Sequence, residues 1–175
     1  MRSTSRPPAA GVTDPAPDHG ADAVDAGPPV DAVEAPGHLT VRPWWDPSLA
    51  VAGFDPRSAY AERFWLPIVG PSTLLLLRRF ARGLDEHAAG FRVSLADTGR
   101  ALGLGAGTGR GAPVNRTIDR ACTFGLARRT HADVLEVRSH LPKLAPRQLE
   151  RLPAVLRRAH RDHLLHAAPD LPPAA

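Results

Sequence analysis

Residues 113–138 read PVNRTIDRACTFGLARRTHADVLEVR, and two periodicities meet inside them. Over Val114–Phe124 the apolar positions recur at helical spacing. Val114, Ile118, Ala121 and Cys122 form one stripe; Asn115, Arg116, Asp119, Arg120 and Thr123 form the opposite one. Pro113 suits a first helical position, where its missing N–H costs nothing, and Gly125 falls where helices end in a left-handed residue. Beyond Gly125 the period drops to two. Leu126–Thr130 reads as a strand, His131-Ala132-Asp133 as a tight turn and Val134–Arg138 as a returning strand, a β-hairpin with a basic first strand.

Upstream, residues 105–112 are a glycine-rich loop. Ser94-Leu95-Ala96-Asp97 has the form of a capping box, with Ser94 as N-cap, and predicts a helix to about Leu102 that turns Leu95 and Leu102 inward. Phe91–Val93 is a brief strand. Gly70-Pro71 introduces a helix over Ser72–His87, stopped by Gly90. Leu74, Leu77, Phe80, Ala81 and Leu84 share one face of it, Leu75 and Leu76 widen that face, and Arg78, Arg79 and Arg82 occupy the remainder.

The order helix, short strand, helix, loop, helix, hairpin resembles the winged helix-turn-helix superfamily. The residues that carry the resemblance are Leu74–Leu84, Ser94–Asp97 with Ala101–Leu104, Ile118–Arg120 with Phe124–Ala127, and Val134–Val137. It covers about 70 of the 175 residues and rests on element order. It implies that Pro113–Phe124 is a recognition helix lying in the major groove of duplex DNA and that the hairpin is the wing. By position, Asn115, Arg116 and Arg120 would reach base edges or phosphates, as Arg to guanine and Asn to adenine are favoured pairings. Arg128 and Arg129 would lie at the wing with His131 at its tip, and Arg110 in the connecting loop, all suited to phosphate contact. Two features depart from the pattern. About ten residues separate Leu102 from Val114, where the turn is usually short, and Asp119 places an anion on the reading face.

The flanks complete the organisation. Residues 1–37 are an acidic leader rich in Pro and Ala, without an aromatic residue, and are expected to be disordered. Residues 38–70 form an extension that holds all three tryptophans. His38–Arg42 alternates like a strand, and Ser58–Trp65 reads as a short helix ending before Pro67. Its aromatics are expected to pack on the domain at 71–140 rather than stack on bases. Residues 141–168 are a helical extension, with Pro146 opening one helix and Pro153 opening or kinking another, and 169–175 a tail. The expected class is mainly α with a small β-hairpin (α+β): a winged helix-turn-helix domain with a disordered N-terminal leader and C-terminal helices.

Arg2 and Arg6 stand against Asp14, Asp18, Asp22, Asp25, Asp31 and Glu34, so residues 1–37 carry a net −4; the chain total of +4 leaves +8 on residues 38–175. A cationic surface attracts phosphate backbones irrespective of sequence. The basic residues are 21 Arg and Lys143, an excess that GC-rich coding would also produce. The single cysteine, Cys122, allows no intrachain disulfide and no thiolate cage, which fits a reducing cytoplasm. No apolar run approaches the length of a membrane span or a signal peptide, so no membrane partner is expected.

The sharper-looking signals are weak. The glycines at 103–111 match neither G-x-G-x-x-G nor G-x-x-x-x-G-K-[ST] spacing and follow a helix rather than a strand. His160, His163 and His166 drift around a helix without a carboxylate or thiolate to complete a zinc site, and read as surface histidines. No triad, paired carboxylates or HExxH motif appears, so the expectation is no enzyme activity, no cofactor and no metal. The reading that follows is duplex DNA binding by a transcriptional regulator or an accessory factor of a plasmid, phage or other mobile element. A non-catalytic winged-helix protein-interaction module is the alternative. Homodimerisation through the C-terminal helices is compatible with both.

Overall fold

A computed structural model describes residues 37–167 of the chain. The expected leader, apart from Gly37, and the tail lie outside the described residues. The fold is α+β: helices packed on one face of a four-stranded sheet.

The sheet is larger than a hairpin. Strand β1 (His38–Trp44) alternates by side-chain character, with Leu39 and Val41 buried against the helices and His38 and Arg42 exposed. It pairs antiparallel with β2 (Phe91–Ser94) and parallel with β4 (Val134–Arg138). Strand β4 pairs in turn with β3 (Ala127–His131), giving the order β2-β1-β4-β3. The expected short strand and the expected hairpin therefore never touch each other; β1 lies between them.

A proline in an interior strand needs an explanation. The Thr40 N–H donates to Asp133 O at 2.7 Å, so even-numbered amides of β1 point to β4 and odd-numbered ones to β2. The β1–β2 register ends at Val41↔Phe91. Pro43 thus directs its missing donor to a side where β2 has already ended. Gly90 makes the approach of β2 possible: at φ +113° it adopts a conformation costly for other residues, and a Cβ there would stand 2.6 Å from Val41 O.

Helix α1 (Pro47–Ala52) is capped by Asp46, whose carboxylate accepts from Ser48 N at 3.1 Å and pairs with Arg138. The Arg138 guanidinium holds the Asp46 carboxyl below the usual carboxylate range. The expected helix over Ser58–Trp65 does not end before Pro67. It widens into a π-turn (Ala61–Trp65), in which Leu66 N–H bonds to Ala61 O, and continues as α2 (Leu66–Val69). Pro67 cannot donate to the carbonyl four residues back and its ring crowds that carbonyl; the wider turn immediately before it accommodates both defects.

Helix α3 (Pro71–Glu86) buries Leu74, Leu76, Leu77, Phe80, Ala81 and Leu84, while Leu75 is half exposed rather than part of the buried face. Helix α4 (Leu95–Ala101) starts at the predicted cap, Ser94 Oγ accepting from Asp97 N at 3.2 Å. Helix α5 (Pro113–Thr123) buries Val114, Thr117, Ile118 and Ala121 and ends at Gly125, φ +67°. Thr117 tolerates burial because its hydroxyl donates to Pro113 O at 2.9 Å. The core is one cluster that joins Leu39 and Val41 of β1, Phe64 and Trp65 of the π-turn, Leu76 and Phe80 of α3, Ile118 of α5, and Leu135 and Val137 of β4.

Arg120 braces this core from outside. Its Nε donates to Val69 O at 2.6 Å and its Nη2 to Ile68 O at 2.9 Å. These carbonyls end α2 and have no partner inside the helix, so a cation there satisfies both hydrogen bonding and the helix dipole.

Helices α6 (Pro146–Leu149) and α7 (Ala154–Ala167) close the described chain. His160 is not at the surface: it is 3% exposed, and its Nε2 lies 2.8 Å from Tyr60 Oη. That hydroxyl also accepts from Leu144 N–H at 3.0 Å, so the buried imidazole and the Leu144 amide share one polar partner. Phe54 stacks on Tyr60 and Phe64 meets the His160 ring edge-on. Burial, then Lys143 and His163 nearby, push the His160 pKa down.

Two expectations follow. Arg120→Ala destabilises the fold by about 1 kcal/mol through two orphaned carbonyls, whereas Arg116→Ala changes stability by less than about 0.5 kcal/mol; urea unfolding measures both. Because the folded chain holds His160 below its unfolded value of 6.5, the unfolded chain binds the extra proton. Stability is therefore full above about pH 6.5 and falls as pH drops through the interval below it. His160→Gln flattens that part of the pH–stability curve; an unchanged acid slope in this variant would assign it to other groups.

Candidate nucleic-acid interface

The solvent side of α5, the β3–β4 turn, the start of β1 and the loop before α5 surround a cleft of about 650 Å³. Its walls include His38, Leu39 and Thr40 of β1, Arg92 of β2, Leu95 of α4, Arg110 of the loop, Asn115 and Asp119 of α5, and Arg129 and Asp133 of the hairpin. Local chemistry explains each position. Strand alternation turns Arg92, opposite Thr40, to the outer sheet face, and Arg129, opposite Leu135, to the face that meets α5. The Gly37 carbonyl accepts from Leu95 N at 2.8 Å and fastens the start of β1 to the start of α4.

The glycine-rich loop is anchored at both ends. Asn115 Nδ2 donates to Thr108 O and Gly109 O, each at 2.9 Å, and so holds the residues just before Arg110 against the first turn of α5. At the other end Gly99 of α4 meets the loop backbone: a Cβ there would lie 2.3 Å from Gly105 O. About ten residues between α4 and α5 are therefore compatible with a formed site.

The seven residues singled out from the sequence do not all converge. Arg110, Asn115 and Arg129 come together around the cleft. Arg116 lies one step around α5 on its other flank, exposed, beside Gly70, Pro71 and Ser72. His131 is exposed where the hairpin turns. Arg120 and Arg128 are engaged elsewhere. Arg120 holds the end of α2 and also lies 5.4 Å from the Phe124 ring centroid. Arg128 bonds Glu136 at 2.6 Å and lies 4.4 Å from the Trp44 ring, on which Arg138 also packs at 3.8 Å. Asn115 is committed to the loop carbonyls rather than directed outward. Among the described residues, no hydrogen bond or ion pair holds Arg92, Arg110 or Arg116.

Arg92, His38 and Asp133 were not legible as site residues. Strand alternation signals that Arg92 faces away from the core, but only the pairing of β1 with β2 brings it to this end of the sheet. The acidic residues matter equally. Asp119 is 61% exposed at its side chain and stands 3.7 Å from Arg129, too long for a direct hydrogen bond. The cleft thus offers three guanidiniums and two carboxylates. Cys122, half-buried on the same helix, has its thiol pKa raised chiefly by burial, which opposes a reactive thiolate.

Among the described residues no group of three or more His, Cys, Asp or Glu could hold a metal ion, and no helix is long and apolar enough to cross a membrane.

No protein-family model matches the chain, and no curated protein matches it in sequence. Among solved structures it is similar to the crystal structure of primosome protein DnaB, residues 1–300, from Geobacillus stearothermophilus, at 18% identity and a TM-score of 0.43. The match covers 81% of this chain and 55% of that one, so the chain spans about half the length of that neighbour.

Proposed function

We propose that the face formed by α5 and the β3–β4 hairpin binds duplex DNA, and that the chain serves as a non-catalytic regulator or accessory factor of a mobile element in the cytoplasm. The observation that carries this reading is the cleft beside α5, with Arg92, Arg110 and Arg129 on its walls and Arg116 exposed on the same helix. In this reading α5 lies in the major groove. Arg116 then reaches base edges, and Asp119 accepts from a cytosine amino group. Arg110, Arg129 and His131 meet phosphates at the groove edge and fix the register. Arg120 and Arg128 act within the fold and leave this list.

A specific observation also favours the protein-interaction reading. Val155 and Leu165 of α7 are 72% and 68% exposed, on a helix that reaches the body through His160 and its aromatic neighbours. A second copy packed on this face is compatible with both readings, since helix-turn-helix proteins often bind two half-sites as dimers.

The expected result separates the readings. Fluorescence anisotropy of a labelled duplex, measured across salt, gives a log–log slope of magnitude near 3, as about three to four phosphate contacts require. Arg110→Ala lowers that slope by about one, and Arg116→Ala weakens binding by about 1–3 kcal/mol. A flat salt response, or no binding at low salt, contradicts the DNA reading and leaves the protein-interaction one.

A further inference from the structure

Helix α7 meets the body along one side, where Leu156, Ala159 and His160 pack on the core and His163 on its aromatic rings. The opposite side carries a different pattern. An α-helix turns about 100° per residue, so Val155, Arg158, Asp162 and Leu165 fall within about 80° of one another, centred opposite the buried His160. All four are exposed. Their spacing of three, four and three residues is that of a seam between paired helices. The seam is apolar at both ends and holds a cation and an anion between them. Among the described residues, neither Arg158 nor Asp162 has an ion-pair partner. Within one helix, a cation four residues before an anion is the less favourable order.

This order is complementary to its own reverse. Val155 and Leu165 each lie five residues from position 160, and Arg158 and Asp162 each lie two from it. We propose that α7 pairs antiparallel with α7 of a second copy, about a twofold axis level with residue 160. Val155 then packs on the second copy's Leu165, and Arg158 meets the second copy's Asp162. The axis repeats each contact, which gives two apolar contacts at the ends and two ion pairs in the middle. Other occupants fit less well. Phosphates would meet Asp162 and both apolar ends. A purely apolar helix would desolvate Arg158 and Asp162 without partners. Polar groups inside a seam fix register and orientation at some cost in affinity. Since His160 holds the inner side of each α7, the two bodies lie on the outer sides of the pair and do not obstruct it. A 14-residue helix is only about 21 Å long, so the contact belongs to the small, transient class. The inference rests on the protein-interaction reading of α7, to which it gives a partner and a register, and not on duplex binding.

Sedimentation equilibrium of the full chain from about 1 to 300 µM tests it. The mass rises from the 18.7 kDa of one chain toward twice that value. Half-association falls at about 10–100 µM, as a small interface gives. Arg158→Asp and Asp162→Arg each weaken association at least about tenfold, because each turns two attractive pairs into two repulsive ones. An equimolar mixture of these two variants associates again, since every cation then faces an anion. These positions are exposed, so the fold tolerates the changes. Register is read by disulfide cross-linking in a Cys122→Ser background. A Val155→Cys chain links to a Leu165→Cys chain but not to itself, because the two copies of position 155 stand about 15 Å apart along the pair. The mass of one chain at every concentration overturns the pairing, and so does a dimer that both charge reversals leave unchanged. A Val155→Cys chain that links to itself as readily as to Leu165→Cys overturns the antiparallel register. A chain that stays monomeric leaves the protein-interaction reading standing with a different partner, and the duplex titration is unaffected by either result.

Discussion

Strand β1 holds the molecule together by pairing on both sides. Without it β2 and the β3–β4 hairpin have no common neighbour, because neither bonds the other. Its inner residues, Leu39 and Val41, are fully buried and join the helices to the sheet. Its first residues pass the hairpin turn, where Thr40 bonds Asp133, and are fastened to α4 through Gly37. The cleft is a consequence of that path. It lies where the start of β1, the turn of the hairpin and α5 meet, and a one-residue slip of β1 would exchange its buried and exposed faces.

The same packing divides the arginines by task. Arg57 binds Asp55 and Asp85, Arg138 binds Asp46 and the Gly125 carbonyl, Arg128 binds Glu136, and Arg120 closes α2. These guanidiniums replace caps and cross-links that another sequence would make with neutral side chains. Arg92, Arg110 and Arg116 remain outside those bonds. A protein whose cationic residues are almost all Arg can therefore place a small basic face beside a large number of structural cations. Net charge alone does not distinguish the two.

Much of the domain was legible in order and kind. The Ser94 cap, the α5 stripe, Gly125 and the alternation of residues 134–138 are local signals, and each sits where local chemistry requires. What sequence could not express is long-range. The role of β1 depends on two strands at least 50 and 94 residues away, and no periodicity in His38–Trp44 names its partners. Helical spacing places Arg120 opposite the apolar stripe, yet the carbonyls it meets lie about 50 residues upstream. His160 carries the polar signature of a surface residue, and only the position of Tyr60 shows that it is buried and satisfied. The break expected at Pro67 was real as a defect; the chain absorbed it by widening a turn instead of ending the helix.

On the proposed reading, nucleic acid meets this chain at the α5–hairpin face. Backbone amide NMR during titration with a short duplex tests it residue by residue. Binding at this face shifts Arg110, residues 115–120 and residues 128–133, and leaves α7 and the aromatic cluster around Tyr60 unmoved. Shifts concentrated on α7, with none along α5 and the hairpin, would contradict it.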